Sequence, residues 1–294
     1  MTQSDSQAPW TDEQWARVNL VVQEEANRAR VAATFLPLYG PLEPDADFVR
    51  SEKIITDGKE LTIEDKEVIQ LATLQVKVKL RGAQVADPDL TSALQAFRRA
   101  ANAIARLEDA IVFRGQKSAD NGPDVPAGEQ PPKFCEIMGG GKRRGLFSAN
   151  QQKETEVSGT GDALVEKVSD SIGELEKAGH FGPFTVVLGQ DLFSIAQKPE
   201  ASLALPQDRI IPFLGGGSLL RSSTLAPDAG LIVALGGAPV ELVVARDISV
   251  DFLQITAEPA FLFRVFEKIA LRIKDELAII PLKQIPKVPI KQNP

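Results

Sequence analysis

The 294 residues contain one cysteine (Cys135), one histidine (His180) and one tyrosine (Tyr39). A lone thiol forms no intrachain disulfide, which suits a reducing cytoplasm. A metal site built from several His or Cys ligands cannot be assembled within one chain. General-base or acyl-transfer chemistry would rest on His180, on Cys135, or on lysines and carboxylates alone. The composition therefore favours a protein that is not an enzyme. A basic excess is missing too: Lys+Arg 33 against Asp+Glu 40 gives −7, which argues against nucleic acid or an anionic membrane as the main partner. No apolar run approaches the roughly 18 residues of a membrane span. The opening Met1-Thr2-Gln3-Ser4-Asp5-Ser6-Gln7 has neither a basic nor an apolar stretch, so no secretory leader is expected there.

What is present is an ordinary globular balance, 43% hydrophobic and 25% charged, enough for one large domain or two modest ones. The first periodic segment covers 11–33, with Trp15, Val18 and Val22 on one helical face. Thr11 and Gln14 form a capping-box pair, and Pro37 and Pro41 end the helical continuation. Residues 45–80 lack proline. They end in a clean alternation, with Val76, Val78 and Leu80 against Lys77 and Lys79, which predicts a strand with one wet face.

Asp87-Pro88-Asp89 then breaks the chain and offers a cap. Leu90, Leu94, Phe97, Ala101, Ile104, Leu107 and Ile111 follow at helical spacing until Gly115, a spine of roughly 35 Å. The stretch 116–160, with four prolines and Gly139-Gly140-Gly141, predicts a long surface segment with at most short strands. A second helix is expected over 162–178, stopped by Gly179. Strand patterns follow at Phe184–Leu188, at Leu231–Leu235 and Val240–Val244 as a hairpin around Gly236-Gly237-Ala238-Pro239, and from Phe261 to Ile273. Glu267 takes an inward position in that last run, which predicts a bulge or an exposed end. Residues 283–294 read as an exposed tail.

The tempting motifs have plain readings. Gly139-Gly140-Gly141-Lys142-Arg143 lacks the earlier glycine and the Ser/Thr of a phosphate loop, Glu136 and Arg143 standing there instead, so it reads as a surface turn. Lys142, Arg143 and Arg144 read as a solvated face or subunit contact. No motif places a nucleophile or carboxylate beside His180, and no Cys-x-x-Cys context activates Cys135. Adjacent Glu108 and Asp109 point about 100° apart on a helix, which disfavours a shared proton, and they read as partners for a neighbouring strand or subunit.

Several strings in order along the chain resemble the encapsulins, bacterial nanocompartment shell proteins once described as linocin-type bacteriocins. They are Ala8-Pro9-Trp10-Thr11-Asp12-Glu13-Gln14-Trp15, Tyr39-Gly40-Pro41-Leu42, Arg81-Gly82-Ala83 before Asp87-Pro88-Asp89-Leu90, Leu107-Glu108-Asp109-Ala110-Ile111-Val112-Phe113-Arg114-Gly115, Gly179-His180-Phe181-Gly182-Pro183-Phe184, Arg246-Asp247-Ile248-Ser249, and Phe263-Arg264-Val265-Phe266 through Ile273. The resemblance implies the α+β, Hong Kong 97-like fold of phage major capsid proteins. On that pattern residues 1–44 form a cargo-facing N-terminal helix and turn, and 45–80 an extended arm over a neighbour. Residues 81–180 form the peripheral domain with the spine helix, 181–245 the axial domain, 246–282 the return strands and 283–294 the tail.

The function implied is a self-assembling icosahedral shell, 60 copies or a multiple, in the cytoplasm. It would enclose a ferritin-like or peroxidase-type cargo, hence a link to iron storage or oxidative stress, and admit small solutes through pores. Cargo would dock by a short tag peptide on Val18, Val22, Phe35, Leu38, Asp247 and Phe252. The arginine and aspartate usual after the family's first helix are absent from Ala32–Leu38. Lys198, Glu200 and Gln207 are the axial pore candidates. No cofactor or metal is implied; the tryptophan tied to flavin in some members has no counterpart, since Trp10 and Trp15 are the only two. A DNA-packaging phage or prophage capsid is the alternative within the fold. A hydrolase or protease, the reading behind the family's older bacteriocin description, is the alternative outside it.

Overall fold

The structure is a computed structural model that describes residues 9–57, 59–116, 133–141, 143–150, 154–199, 204–258 and 260–285. Helix α1 (Asp12–Ala29) begins at the expected cap: Gln14 N–H donates to Thr11 Oγ1 at 3.3 Å and Thr11 N–H to Gln14 Oε1 at 3.1 Å. A single turn, α2 (Ala32–Phe35), and a two-residue strand, β1 (Leu38–Tyr39), follow. Strands β2 (Phe48–Asp57) and β3 (Glu60–Gln70) form a two-stranded ribbon, and β4 (Ala72–Arg81) leads through α3 (Gly82–Val85) to the spine, α4 (Thr91–Arg114). Asp87 reaches over a left-handed Leu90 to accept the Thr91 N–H at 2.9 Å, and Gly115 at φ +92 ends the helix.

Next come β5 (Cys135–Gly139), α5 (Leu146–Ala149), β6 (Thr155–Val157) and α6 (Gly161–Lys177). They are followed by β7 (Phe184–Leu188), α7 (Gln190–Ala196), α8 (Pro206–Ile210), β8 (Leu219–Arg221) and β9 (Ala229–Ala234). The chain closes with β10 (Val240–Ile255), β11 (Ala260–Ile273) and β12 (Ile279–Gln284).

Two five-stranded sheets result, ordered β1-β10-β11-β4-β5 and β6-β12-β9-β7-β8. The apolar faces of α1 and α4 lie against the first sheet. The second sheet is buried on both sides: Val187, Leu231, Val233 and Ile279 join the core under α4, while Val186, Leu188, Ile232 and Ile280 pack with α6 and its neighbours. Period-two alternation thus feeds two cores from one sheet.

The structure differs from the sequence reading at four places. The ribbon ends at Gln70, and β4 is not part of an arm: it pairs with β11 from Ala72 to Arg81, because its apolar face is needed under α4. Leu231–Leu235 and Val240–Val244 do not form a hairpin. Both strands are buried on both faces and each needs two neighbours, so the glycine-rich link carries the chain from the second sheet to the first. Helix α6 and strand β12 belong with the second sheet, not with the first, as the contacts of Leu164, Val168, Ile280 and Leu282 require. The tail starts later than expected, since Lys283 and Gln284 are in β12 and Lys283 Nζ bonds Asp228 Oδ1 at 2.9 Å. Residues 286–294 lie outside the described residues.

Candidate functional site

Helix α1 lies on α4 and across β10, and its partners change along its length. At its start, Trp10 stacks on Phe263 at 4.6 Å and meets Trp15 and Phe97 edge-on at 5.1 and 5.9 Å, while its Nε1–H donates to Val85 O at 3.1 Å. Phe252 reaches the same cluster, 5.4 Å from Phe263. Midway, Asn102 Nδ2 of α4 donates to Glu25 Oε1 at 3.1 Å. Beyond its end, Arg30 Nη1 bonds Asp247 Oδ1 of β10 at 2.8 Å. Asp109 of α4 accepts the N–H groups of Val31 and Ala32 at 2.9 and 2.7 Å, satisfying the free donors at the start of α2. Phe35 then stacks over Phe113 at 6.4 Å.

This geometry divides the six expected tag-binding residues. Val18 and Val22 are fully buried, each 0% exposed, on the face of α1 that packs into the core. They cannot line an open groove; an amphipathic stripe reads the same whether a core or a ligand covers it. Phe35, Leu38, Asp247 and Phe252 remain reachable, with Leu38 61% exposed. They do not form one pocket. Leu38 pairs with Leu242, and Phe252 lies ten positions further along the same strand, about 30 Å away. The set is a seam along α1 and β10 with the Arg30–Asp247 pair near its middle. The sequence reading missed Arg30, two positions before the stretch searched for an arginine, because nothing local ties it to an aspartate 217 residues away.

Beneath that seam lies a group of acids. Glu108 and Asp109 of α4 and Glu267 of β11 are buried, and among the described residues no side chain hydrogen-bonds the Glu108 carboxylate, which lies beside the Ala33 backbone. Burial first, then the neighbouring Asp109 charge, pushes Glu108 up to about 8, against the pull of Arg30. Burial lifts Asp109 to about 7 although the backbone N–H groups of Ala32 and Val31 hold it down. Glu267 is raised well above the carboxylate range, by burial and then by Glu108. Burial opposes the charge on Arg30, yet its hydrogen bond to Asp247 and the surrounding carboxylates raise its pKa. Glu108 therefore faces Glu267 on the neighbouring strand β11, one of the partners the sequence reading allowed, and Asp109 holds the interior loop at Val31 and Ala32. Glu267 is no exposed end. The bulge sits across from it, where β10 carries one extra residue between Arg246 and Ser249.

The other singled-out residues fall elsewhere. His180 Nε2 lies 3.1 Å from Asp275 Oδ2 without hydrogen-bond geometry, and no described Ser, Thr or Cys side chain bonds its ring. Cys135 starts β5, and burial raises its thiol to about 11, the opposite of an activated nucleophile. Of the pore candidates, Lys198 is exposed past α7, Gln207 on α8 accepts a hydrogen bond from Gln197, and Glu200 lies outside the described residues, as does Lys142. No cluster of three or more His, Cys, Asp or Glu side chains suited to a metal ion occurs among the described residues. No described helix is long and apolar enough to cross a membrane.

Comparison with known proteins gives a consistent result. The family model described as "Encapsulating protein for peroxidase" matches residues 1–122 and 138–270. The type 1 encapsulin shell protein EncA of Myxococcus xanthus is 26% identical over 94% of this chain and 94% of its own. Among solved structures, the virus-like particle of Pyrococcus furiosus superposes with a TM-score of 0.68 at 14% identity, covering 92% of this chain and 100% of that one. The holo-SrpI encapsulin complex of Synechococcus elongatus gives 0.55 at 12% identity, with 86% of each chain covered. The capsid of the myovirus XM1 gives 0.57 at 13% identity, covering 85% and 90%. The fold is the Hong Kong 97-like capsid fold.

Proposed function

Because the chain belongs to the family of encapsulating proteins for peroxidase, whose members are shell proteins, we propose that its icosahedral shell encloses a cargo enzyme held by a short peptide along the α1–β10 seam. The observation that carries the assembly is the ribbon. Among the described residues, strands β2 and β3 pair only with each other, and Phe48, Leu61, Ile63 and Val68 stand exposed on them. A two-stranded ribbon is marginal in water by itself, and its open edges call for partners. A closed shell of 60 copies, or a multiple, supplies a partner at every edge and then stops growing.

An extended tag of about nine or ten residues would span the seam, meeting Leu38 at one end, Asp247 near the middle and Phe252 at the other. Burying one Leu-sized side chain is worth about 1.5–3 kcal/mol, and several tags on one oligomeric cargo multiply the effect by effective concentration. A ferritin-like or peroxidase-type enzyme is the cargo class this reading favours, in a cytoplasmic compartment. The shell chain is non-catalytic in this reading, supported by the raised Cys135 thiol and by His180 having no nucleophile bonded to it.

The test uses shells purified from the native host. The chain elutes as a hollow megadalton particle, and the co-purified protein per shell is quantified by gel densitometry. Leu38→Asp and Phe252→Ala lower that ratio severalfold with particles intact. Unchanged loading in both variants moves cargo capture elsewhere. Particles that carry nucleic acid in place of protein, read from the ratio of absorbance at 260 and 280 nm, favour the DNA-packaging capsid.

A further inference from the structure

Two arginines from the body grip the ribbon at a single rung. Arg272 of β11 donates from Nη1 to the carbonyl of Arg50 at 3.1 Å. Arg143, in the loop after β5, donates from Nη2 to the carbonyl of Val68 at 2.9 Å. Arg50 and Val68 face each other directly in the β2–β3 register. The carbonyls of an antiparallel pair that are not bonded to each other point outward from the two strand edges. The two guanidinium groups therefore hold the ribbon from both edges at the same level.

Each arginine is itself fixed. Arg272 bonds Glu241 through Nε at 2.8 Å and lies 3.9 Å over the Tyr39 ring, and Glu241 also takes Lys274 Nζ at 2.6 Å. Arg143 bonds Glu67, the neighbour of Val68, at 2.8 Å, and Lys53 pairs with the same carboxylate at 3.1 Å. The Gly139-Gly140-Gly141 turn places Arg143 there. All three have positive φ, and a Cβ on Gly139 would come within 2.8 Å of the Leu71 carbonyl, where the chain leaves the ribbon. The triple glycine that fails as a phosphate loop is thus the return path of a clamp.

We propose that Arg143 and Arg272 set the angle at which the ribbon leaves the body and so select one curvature for the shell; this rests on the shell reading above. From Val68 to Glu60 is eight residues, about 26 Å. A tilt of about 10° at the rung moves the tip by about 5 Å, one interstrand spacing, enough to miss or shift its pairing with a neighbour. Among the described residues no hydrogen bond or ion pair to the body holds the ribbon beyond Glu67, so the angle is decided at the clamp.

Particle diameters measured by electron microscopy test it, with circular dichroism showing that each variant is folded. Wild-type particles have one diameter. Arg143→Ala and Arg272→Lys, which keeps a positive charge for Glu241, each give at least two size classes or open sheets, and Arg143→Lys is intermediate. A single wild-type diameter in both main variants overturns the proposal. If the wild-type chain forms no particles, the shell reading fails, and the clamp is read on the free chain. Nitroxides at Leu61→Cys and Glu174→Cys, in a Cys135→Ser background, then report a narrow distance distribution that Arg143→Ala broadens at least twofold. Equal widths refute the clamp.

Discussion

Glu108 is a buried carboxyl group with no side-chain hydrogen-bond partner among the described residues, enclosed by Asp109 on its own helix, Glu267 on β11, Asp247 and Arg30 at the seam and the Ala33 backbone of α2. Folding raises its pKa to about 8, so the folded chain binds a proton that the unfolded chain releases near pH 4.5. Its contribution to stability is therefore complete below the ordinary carboxylate range, is lost as pH rises from there, and stops changing above about 8. Asp109 and Glu267 are shifted the same way and add to the slope. Glu108→Gln carries no charge at any pH, which removes its share. At pH 8.5 the variant melts at least about 3 °C higher than wild type by calorimetry. At pH 5 the two agree closely. A lower melting point for the variant at both pH values would show that Glu108 is ionised and paired in the native state.

At the scale of elements, the legible parts were those whose partners lie nearby in sequence. The Thr11–Gln14 cap, the α4 stripe ending at Gly115 and the Gly179 stop depend on neighbours within a turn or two, and the structure has each of them. Strand partners were not legible. Leu231–Leu235 and Val240–Val244 look like a hairpin because an apolar run does not say which sheet will flank it. Val18 and Val22 were correctly placed on one face, but what covers that face, α4 and the core, is set by residues 80 positions away. The same holds for Arg30 and Asp247. Short spacing also hid the purpose of the triple glycine, which needs the ribbon beside it to make sense. Gly140 tests that purpose locally. At φ +77 its added Cβ would stand 2.1 Å from Gln116 Oε1 and 2.7 Å from the Ala72 Cβ. Gly140→Ala therefore costs about 1–2 kcal/mol from the left-handed backbone alone, read as a lower urea midpoint. A variant as stable as wild type would mean that the turn can be rebuilt without this conformation.

For the whole molecule, the question is which part of the chain exists for its neighbours. Val49 and Ile69 at the root of the ribbon are buried with Leu71, Val243, Ala245 and Ala270, and Leu71 N–H bonds the Asp47 carbonyl at 2.9 Å. That much of the ribbon belongs to the body. Above the Arg50–Val68 rung it leaves Leu61 and Ile63 77% and 67% exposed, apolar surface that a free chain leaves in water. Covering a few such side chains on a neighbour is worth several kcal/mol per contact, repeated around a shell. Removing residues 45–75 would be a poor experiment, because it takes the start of β4 out of the first sheet. Replacing residues 52–66 with Asn-Gly is cleaner. Ser51 and Glu67 face each other in the hydrogen-bonded position next to the Arg50–Val68 rung, so a two-residue turn closes them without moving the root or the clamp. The shortened chain keeps its circular dichroism spectrum and melts within about 5 °C of wild type, yet sediments as a monomer or small oligomer at concentrations where the full chain forms closed particles. Closed particles of wild-type diameter from the shortened chain would assign assembly to the body and leave the ribbon without a role.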